Sequence, residues 1–524
     1  MTTMRRRALR ALVTLALLAG LGATAGGTGQ TAAAATPPNT VVPAPVSQTA
    51  NGQTFTLGST ATITSADAGV GGYLAGILRA STGYALPLTV GTGTGTIALQ
   101  LSGAPGSVGT EGYQLTATTG GVVIQAAQPA GLFHGVQTLL QLLPPAAMSP
   151  TTHAGPWTVP GGTVLDYPRY AYRGAMLDVG RHFFTVAQVK HYIDEMALYK
   201  VDYLHLHLSD DQGWRIAINS WPNLATYGGS TQVGGGPGGY YTQADYSAIV
   251  AYATSHFVTV VPELDMPGHT NAALASYAQL NCNGVAPALY TGTNVGFSSL
   301  CVALPLTYTF LDQVIGELAA LTPGPYLHIG GDEASSTPAS DYSTFINHVQ
   351  QIVAAHGKTV VGWHDVTRAT PLPSTVAQFW GTGTTDSSTA NAAAHGTKVI
   401  MSPANRAYLD MKYTNSTPLG QTWAGLIDVN KAYDWNPGAY LSGVSDPSVL
   451  GVEAPLWTET IVTSADIDFM AFPRLPALAE LGWSPWSTHS VTAFDQRVGS
   501  QGPRWKFMGI NYYKSTQISW PSGS

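Results

Sequence analysis

The chain has 524 residues, a formal net charge of −7 and only 10% charged residues, with 59 glycines and 12 tryptophans. That length exceeds one small core and suits one small domain beside one large one. The negative charge is modest and scattered with no basic stripe, which speaks against nucleic acid as a partner. Beyond the N-terminus no segment reaches the roughly 18 apolar residues of a membrane-spanning helix.

Taken in chain order, residues 1–35 read as an export signal. Arg5, Arg6, Arg7 and Arg10 form a positive start, Leu12 to Leu21 an apolar core, and small residues at Ala23 to Ala25 or Ala32 to Ala35 offer cleavage sites. The mature protein is therefore expected outside the cell with the signal removed. In that setting the two cysteines, Cys282 and Cys301, are expected to form a disulfide. Residues 36–53 are rich in Pro, Thr and Ala and are expected to be a disordered lead-in.

Residues 54–165 predict a small α+β domain. "GYQLTATTGGVVIQAA" (Gly112 to Ala127) alternates around a Thr-Gly-Gly turn, the pattern of a hairpin. "GLFHGVQTLLQLL" then sets Leu132, Val136, Leu139, Leu140 and Leu143 at helical spacing, and Pro144 and Pro145 end the helix.

After "DYPRY" the pattern becomes apolar strands alternating with amphipathic helices. The strand candidates are "YRGAMLDV", "DYLHLHLSDD", "FVTVVPELD", "YLHIGGDE", "KTVVGWHD", "TVAQFWG", "TKVIMS" and "GVEAPLW". Thr185 can cap the helix that follows the first of them, and a helix near Ala471 to Leu481 would close the ring. Eight βα units without a phosphate-type glycine loop predict a (β/α)₈ TIM barrel over 166–524.

In such a barrel the chemistry sits where the strands end, because the βα loops build the pocket there. Arg181 follows the first strand; Asp210 and Asp211 follow the second. Glu263, Asp265 and His269 follow the third, and Asp332 and Glu333 the fourth. Trp363, Trp380, Tyr408 with Asp410, and Trp457 with Glu459 follow the remaining four. Tryptophan faces stack on the C–H faces of sugar rings, and carboxylates with an arginine hold hydroxyls, so the set fits a neutral carbohydrate.

The adjacent acids narrow the chemistry. Glycoside cleavage needs a proton donor, and Glu333 beside Asp332 is expected to have its pKa raised by desolvation and like charge. Asp332 is too close in sequence to attack from across the ring, so the substrate is expected to bring its own nucleophile. Two other readings compete. A non-catalytic carbohydrate-binding protein on this scaffold would lack the acids. A barrel metallohydrolase would use His205 and His207, with His269 and His328 recruited; the pair lies mid-strand, however, where packed, hydrogen-bonded histidines are expected. No metal or other cofactor is expected.

The ordered set "PAGLFHGVQTLLQLLP", "RGAMLDVGRHF", "HLHLSDDQGWRI", "VVPELDMPGHT", "HIGGDE", "GWHD", "QFWG", "PLWTE" and "FPRLPALAELGWSP" resembles the family 20 glycoside hydrolases, the β-N-acetylhexosaminidases, and within them the secreted actinobacterial type. The resemblance implies exo-acting, retaining, substrate-assisted hydrolysis of N-acetylhexosamine-terminated oligosaccharides, chitin oligosaccharides among them. It implies that Glu333 is the general acid and base, and that Asp332 orients the acetamido N–H. Tyr408 would donate to the acetamido oxygen, and the Asp210–His269 pair would support Glu333. Trp363, Trp380 and Trp457 would wall the acetamido pocket, with Trp423 at the leaving-group side. Arg181, Asp410 and Glu459 would hold ring hydroxyls.

Overall fold

The computed structural model describes residues 40–522 and 524. The expected export signal lies outside the described residues. Among the described residues no helix is long and apolar enough to cross a membrane.

The small domain is one seven-stranded mixed sheet. Its strands are β1 (Ser47–Thr56), β2 (Ile63–Ser65), β3 (Leu88–Val90), β4 (Ile97–Gln100), β5 (Tyr113–Thr118), β6 (Gly121–Ala126) and β7 (Thr158–Asp166), in spatial order β1-β7-β5-β6-β4-β2-β3. The predicted hairpin is β5–β6, with alternate residues buried along both strands. The predicted helix spans Pro129–Leu142 and buries Leu132, Val136, Leu139 and Leu140.

The expected disorder over 36–53 is overturned from Thr40 onward. Val41, Val42 and Ala44 are buried, and β1 pairs antiparallel with β7 from Ser47 to Thr56. The cause is long-range. Val42 N–H donates to Gln141 Oε1 at 2.9 Å and Val42 O accepts from Gln141 Nε2 at 2.7 Å, while Ala44 N–H donates to Glu480 Oε2 at 2.9 Å. Side chains some 100 and 400 positions away thus satisfy a backbone with no local partner, which composition does not reveal.

The eight predicted barrel strands form a closed parallel barrel: Tyr172–Asp178, Tyr203–His207, Thr259–Glu263, Tyr326–His328, Thr359–Trp363, Val376–Phe379, Lys398–Met401 and Val449–Ala454. Thr185 caps the first barrel helix, Val186–Leu198, in a reciprocal capping box with Gln188. Arg474–Trp483 is the expected late helix. A further helix, Val491–Met508, lay outside the sequence reading. From it, Arg504 donates to the carbonyls of Leu140, Gln141 and Leu143, the unpaired C-terminal oxygens of the small domain's helix.

The barrel interior is layered. Tyr172, Val261, Val361, Val376 and Ile400 fill the lower end. Above them lies a polar layer. His205 sits 2.8 Å from Glu453 Oε1 and 2.9 Å from Glu263 Oε2. His207 bonds Glu263, His328 lies 2.9 Å from Glu263 Oε1, and Gln378 donates to Glu453 at 2.7 Å. Buried charge is tolerated only when paired, and here each group has a partner. Both nitrogens of His205 and of His207 lie against carboxylates, so the mid-strand pair is knitted into the barrel core. Several of these groups come within 4.8 Å of one another in arrangements that could hold a cation, His205, Glu263 and His328 among them.

The two domains meet at Asp166, the last residue of β7. Its carboxylate accepts from Lys200 Nζ at 2.8 Å, Tyr113 O–H at 2.8 Å and Trp483 Nε1 at 2.9 Å. Lys200 and Asp166 are wholly buried. Replacing Asp166 with Ala would leave the ammonium unpaired in a dry joint, and stability is expected to fall by about 3–5 kcal/mol. Denaturant unfolding measures this; a loss below about 1 kcal/mol would show that the joint does not depend on the pair.

Candidate active site

The loops after the barrel strands enclose a cavity of about 390 Å³, a size usual for a small-molecule site. Of the predicted residues, Arg181, Asp332, Glu333, Trp380, Tyr408, Asp410, Trp423, Trp457 and Glu459 line it. Five of the eight strand ends contribute a predicted lining residue, and Asp210 and His269, after the second and third strands, touch the lining residues Arg181 and Glu333. Trp363 is fully buried and donates its indole N–H to Glu263 Oε1 at 3.0 Å; it backs Trp457, with ring centroids 5.7 Å apart, and is not part of the lining. Glu263 likewise faces the polar layer of the barrel core, where the strand-end reading had placed it in the pocket.

The fourth strand ends at His328, and the chain then turns sharply. Gly330 and Gly331 have φ of +64° and +101°. A Cβ on Gly330 would lie 1.7 Å from Asp265 Oδ1 and 2.8 Å from its Cα, so only glycine fits. The turn delivers Asp332 and Glu333 in opposite settings. The Asp332 side chain is 11% exposed and that of Glu333 35%. Desolvation therefore falls on Asp332, contrary to the expectation that it would fall on Glu333. Burial, opposed by His269 and aided by Glu333, pushes Asp332 up to about 7.

Glu333 has φ of +46° and His269 φ of +54°. Left-handed backbone is costly in residues with a Cβ and persists only where the surroundings impose it. The two strained residues face each other: His269 Nε2 lies 3.3 Å from Glu333 Oε2. The other ring nitrogen lies 3.3 Å from Asp210 Oδ1. Burial opposes a charge on His269, but Asp210 and Asp265 outweigh it and raise its pKa well above the imidazole value. Burial equally opposes the Asp210 anion, yet Arg181 and His269 hold it far below the carboxylate range. Asp210 is thus the hub of an Arg181–Asp210–His269–Glu333 chain, with Arg181 Nη1 2.7 Å away and His207 Nε2 2.7 Å away. Asp210 and His269 are themselves buried beneath the cavity.

The cavity wall carries unanswered polar atoms. Both carboxylate oxygens of Asp410, Glu459 Oε2, Asp332 Oδ1 and Arg181 Nε are buried and have no hydrogen-bond partner in the protein. Burial, reinforced by Glu459, pushes Asp410 well above the usual carboxylate range. Groups left in this state cost free energy unless a ligand answers them. Trp380 is fixed by its N–H on Asp365 Oδ2 at 3.0 Å, and the Arg181 guanidinium lies 4.7 Å from the Trp457 ring centroid. Trp423 is 55% exposed and stands at the rim, edge-on to Trp380 and Tyr408. Burial and the nearby Asp332 raise the Tyr408 phenol, which keeps it a donor.

Sequence reasoning missed Gln421, Thr293 and Val295, which also line the cavity. Gln421 lies two positions before Trp423 and offered no signal of its own. Thr293 and Val295 come from the loop closed by the Cys282–Cys301 disulfide, which is formed. Asp178, at the very end of the first strand, was also missed; it lies 3.6 Å from Arg181 Nη1 and accepts the backbone N–H groups of Gly180 and Arg181.

A closed parallel barrel with a tryptophan-lined, carboxylate-rich cavity at its strand ends defines a carbohydrate-active class. Residues 170–486 match the description "Glycosyl hydrolase family 20, catalytic domain" and residues 39–167 match "Glycosyl hydrolase family 20, domain 2". The chain belongs to glycosyl hydrolase family 20. It is 44% identical over 79% of its length to a beta-N-acetylhexosaminidase of Cellulomonas fimi, covering 82% of that protein. Among solved structures it resembles a mutant Streptomyces plicatus beta-hexosaminidase in complex with the product GlcNAc: 58% identity, TM-score 0.91, 93% of this chain and 98% of that one. The family 20 beta-N-acetylhexosaminidase of Streptomyces coelicolor A3(2) is 57% identical with TM-score 0.90, over 93% of this chain and 99% of that one.

Proposed function

We propose that the protein is an exo-acting, retaining β-N-acetylhexosaminidase that releases terminal GlcNAc or GalNAc from oligosaccharides, chitin oligosaccharides among them, through an oxazolinium intermediate. The observation that carries this reading is the set of buried, unpartnered acceptors on Asp410, Glu459 and Asp332 in one small tryptophan-lined cavity. A neutral ligand rich in O–H groups and bearing one amide N–H answers all of them. Asp410 and Glu459 would accept ring hydroxyls, Arg181 would donate to one, and Asp332 Oδ1 would accept the amide N–H.

In the first step the acetamido oxygen attacks C1 of its own sugar while the glycosidic C–O bond breaks. The leaving oxygen takes the proton of Glu333. Positive charge develops on the oxazolinium, where Asp332 accepts its N–H and Tyr408 donates to the oxygen that attacks. In the second step Glu333 removes a proton from water, the water oxygen bonds C1, and the acetamide is restored. An internal nucleophile needs no separate ordering of a second reactant, an advantage of up to several kcal/mol. Asp210 and His269 hold Glu333 in reach of the leaving oxygen.

A panel of 4-nitrophenyl β-glycosides tests the reading. Turnover is expected on the GlcNAc and GalNAc substrates and on chitobiose, with none detectable on the glucoside. Equal rates on the glucoside and the N-acetylglucosaminide would rule out the internal nucleophile.

A further inference from the structure

The loop from Cys282 to Cys301 does more than border the cavity. We infer that it is a strap that sets the position of the proton donor, with Ser298 as a positioning residue. The inference rests on the reaction proposed above. Ser298 is 5% exposed, yet it ties together the loops that follow three successive barrel strands. Its hydroxyl donates to Asp211 Oδ1 at 2.5 Å, in the loop after the second strand. The same hydroxyl accepts the backbone N–H of Thr270 at 2.9 Å, after the third. Its carbonyl accepts from Ser336 Oγ at 2.9 Å, after the fourth.

Each tie falls beside a member of the proton-transfer group. Asp211 follows Asp210, Thr270 follows His269, and Ser336 lies three positions after Glu333. Neighbouring contacts reinforce the pattern. Leu300 N–H donates to Pro267 O at 2.9 Å, and Ser299 Oγ lies 2.6 Å from Thr337 Oγ1. Gly296, at φ +77°, packs so closely that a Cβ there would lie 3.3 Å from the Glu333 carbonyl oxygen.

This arrangement answers a question the catalytic set leaves open. His269 and Glu333 hold left-handed backbone that neither would adopt unaided. Their side chains meet at 3.3 Å, a distance that a small relaxation of either loop would lose. Ser298 bridges the segments on which both stand, and the disulfide fixes the ends of the strap that carries it. Ser298 touches no substrate in this reading; it acts through the alignment of Glu333.

Leaving-group dependence separates alignment of the acid from general damage. Chitobiose needs its leaving oxygen protonated; 2,4-dinitrophenyl GlcNAc leaves as a stable phenolate and hardly does. In Ser298→Ala, kcat/KM is expected to fall by about tenfold on chitobiose, a part of the 10²–10⁴-fold that a general acid contributes, and to change by less than about twofold on the dinitrophenyl substrate. Ser298→Thr, which keeps the hydroxyl, is expected to restore most of the loss. The Cys282→Ala/Cys301→Ala double variant gives a second reading should Ser298→Ala fold poorly, and the same split is expected. Equal losses on both substrates, or no loss on either, would overturn the inference. Wild-type protein idle on both N-acetylglucosaminides would instead sink the functional reading, and this inference with it.

Discussion

Glu333→Gln is expected to lower kcat/KM on chitobiose by about 10²–10⁴-fold, with KM moving little. Glutamine keeps the shape of the side chain and its hydrogen-bonding reach toward His269, but has no proton to give at the leaving oxygen. The loss should shrink sharply on 2,4-dinitrophenyl GlcNAc, whose bond breaks without an acid. Steady-state kinetics on both substrates checks this. A Gln variant with wild-type rates on chitobiose would refute the assignment. The position of Glu333 is consistent with its role: of the two adjacent carboxylates that line the cavity it is the more exposed, and it touches a histidine whose charge is held by Asp210.

Asp332→Asn is expected to cost roughly 10²–10³-fold in kcat, the usual effect of removing one group aimed at developing charge. Here the loss should be the same on both leaving groups, because Asp332 acts on the nucleophile side of the reaction. The physical basis is the burial of its carboxyl, which pushes the pKa up to about 7. A group held near neutrality gains strongly from a cation formed beside it. The oxazolinium supplies that cation, so the interaction grows as the reaction proceeds. An amide cannot make that gain. A penalty confined to chitobiose would place Asp332 in the proton transfer instead. The two variants thus separate adjacent carboxylates by the substrate each depends on.

Much of the fold was legible because local pattern and tertiary demand agreed. Buried parallel strands read as short apolar runs, and the residue type changes abruptly where each strand meets the pocket. All eight strands were found within a few residues of their observed limits. The errors share a cause. Residues 40–53 have a composition that lacks an apolar core of its own, and they are ordered by Gln141, Glu480 and the β7 edge. The helix Val491–Met508 went unnoticed because its chain is polar, with glycines at 499 and 502 and a proline at 503; burial of Phe494, Val498 and Trp505 holds it.

The site divides in the same way. Strand-end position identified most lining residues, since a residue's place along a strand fixes the end of the barrel it occupies. Depth was not readable. Trp363 and Trp457 follow strands in the same manner, yet one is sealed behind the other. Asp332 and Glu333 are chain neighbours, yet only one is desolvated. Burial is a property of everything packed around a group, and that packing comes from distant segments.

By itself, the order of residues determined the architecture, the end of the barrel where chemistry occurs, and the pairing of two acids after the fourth strand, because strand period, turn glycines and residue type are local quantities. Only the tertiary structure decided which acid loses its water, which tryptophans line the cavity, and how a disulfide-closed loop comes to lie against the strained backbone of His269 and Glu333. Those outcomes depend on distances through space between segments far apart in the chain, and no local pattern encodes them.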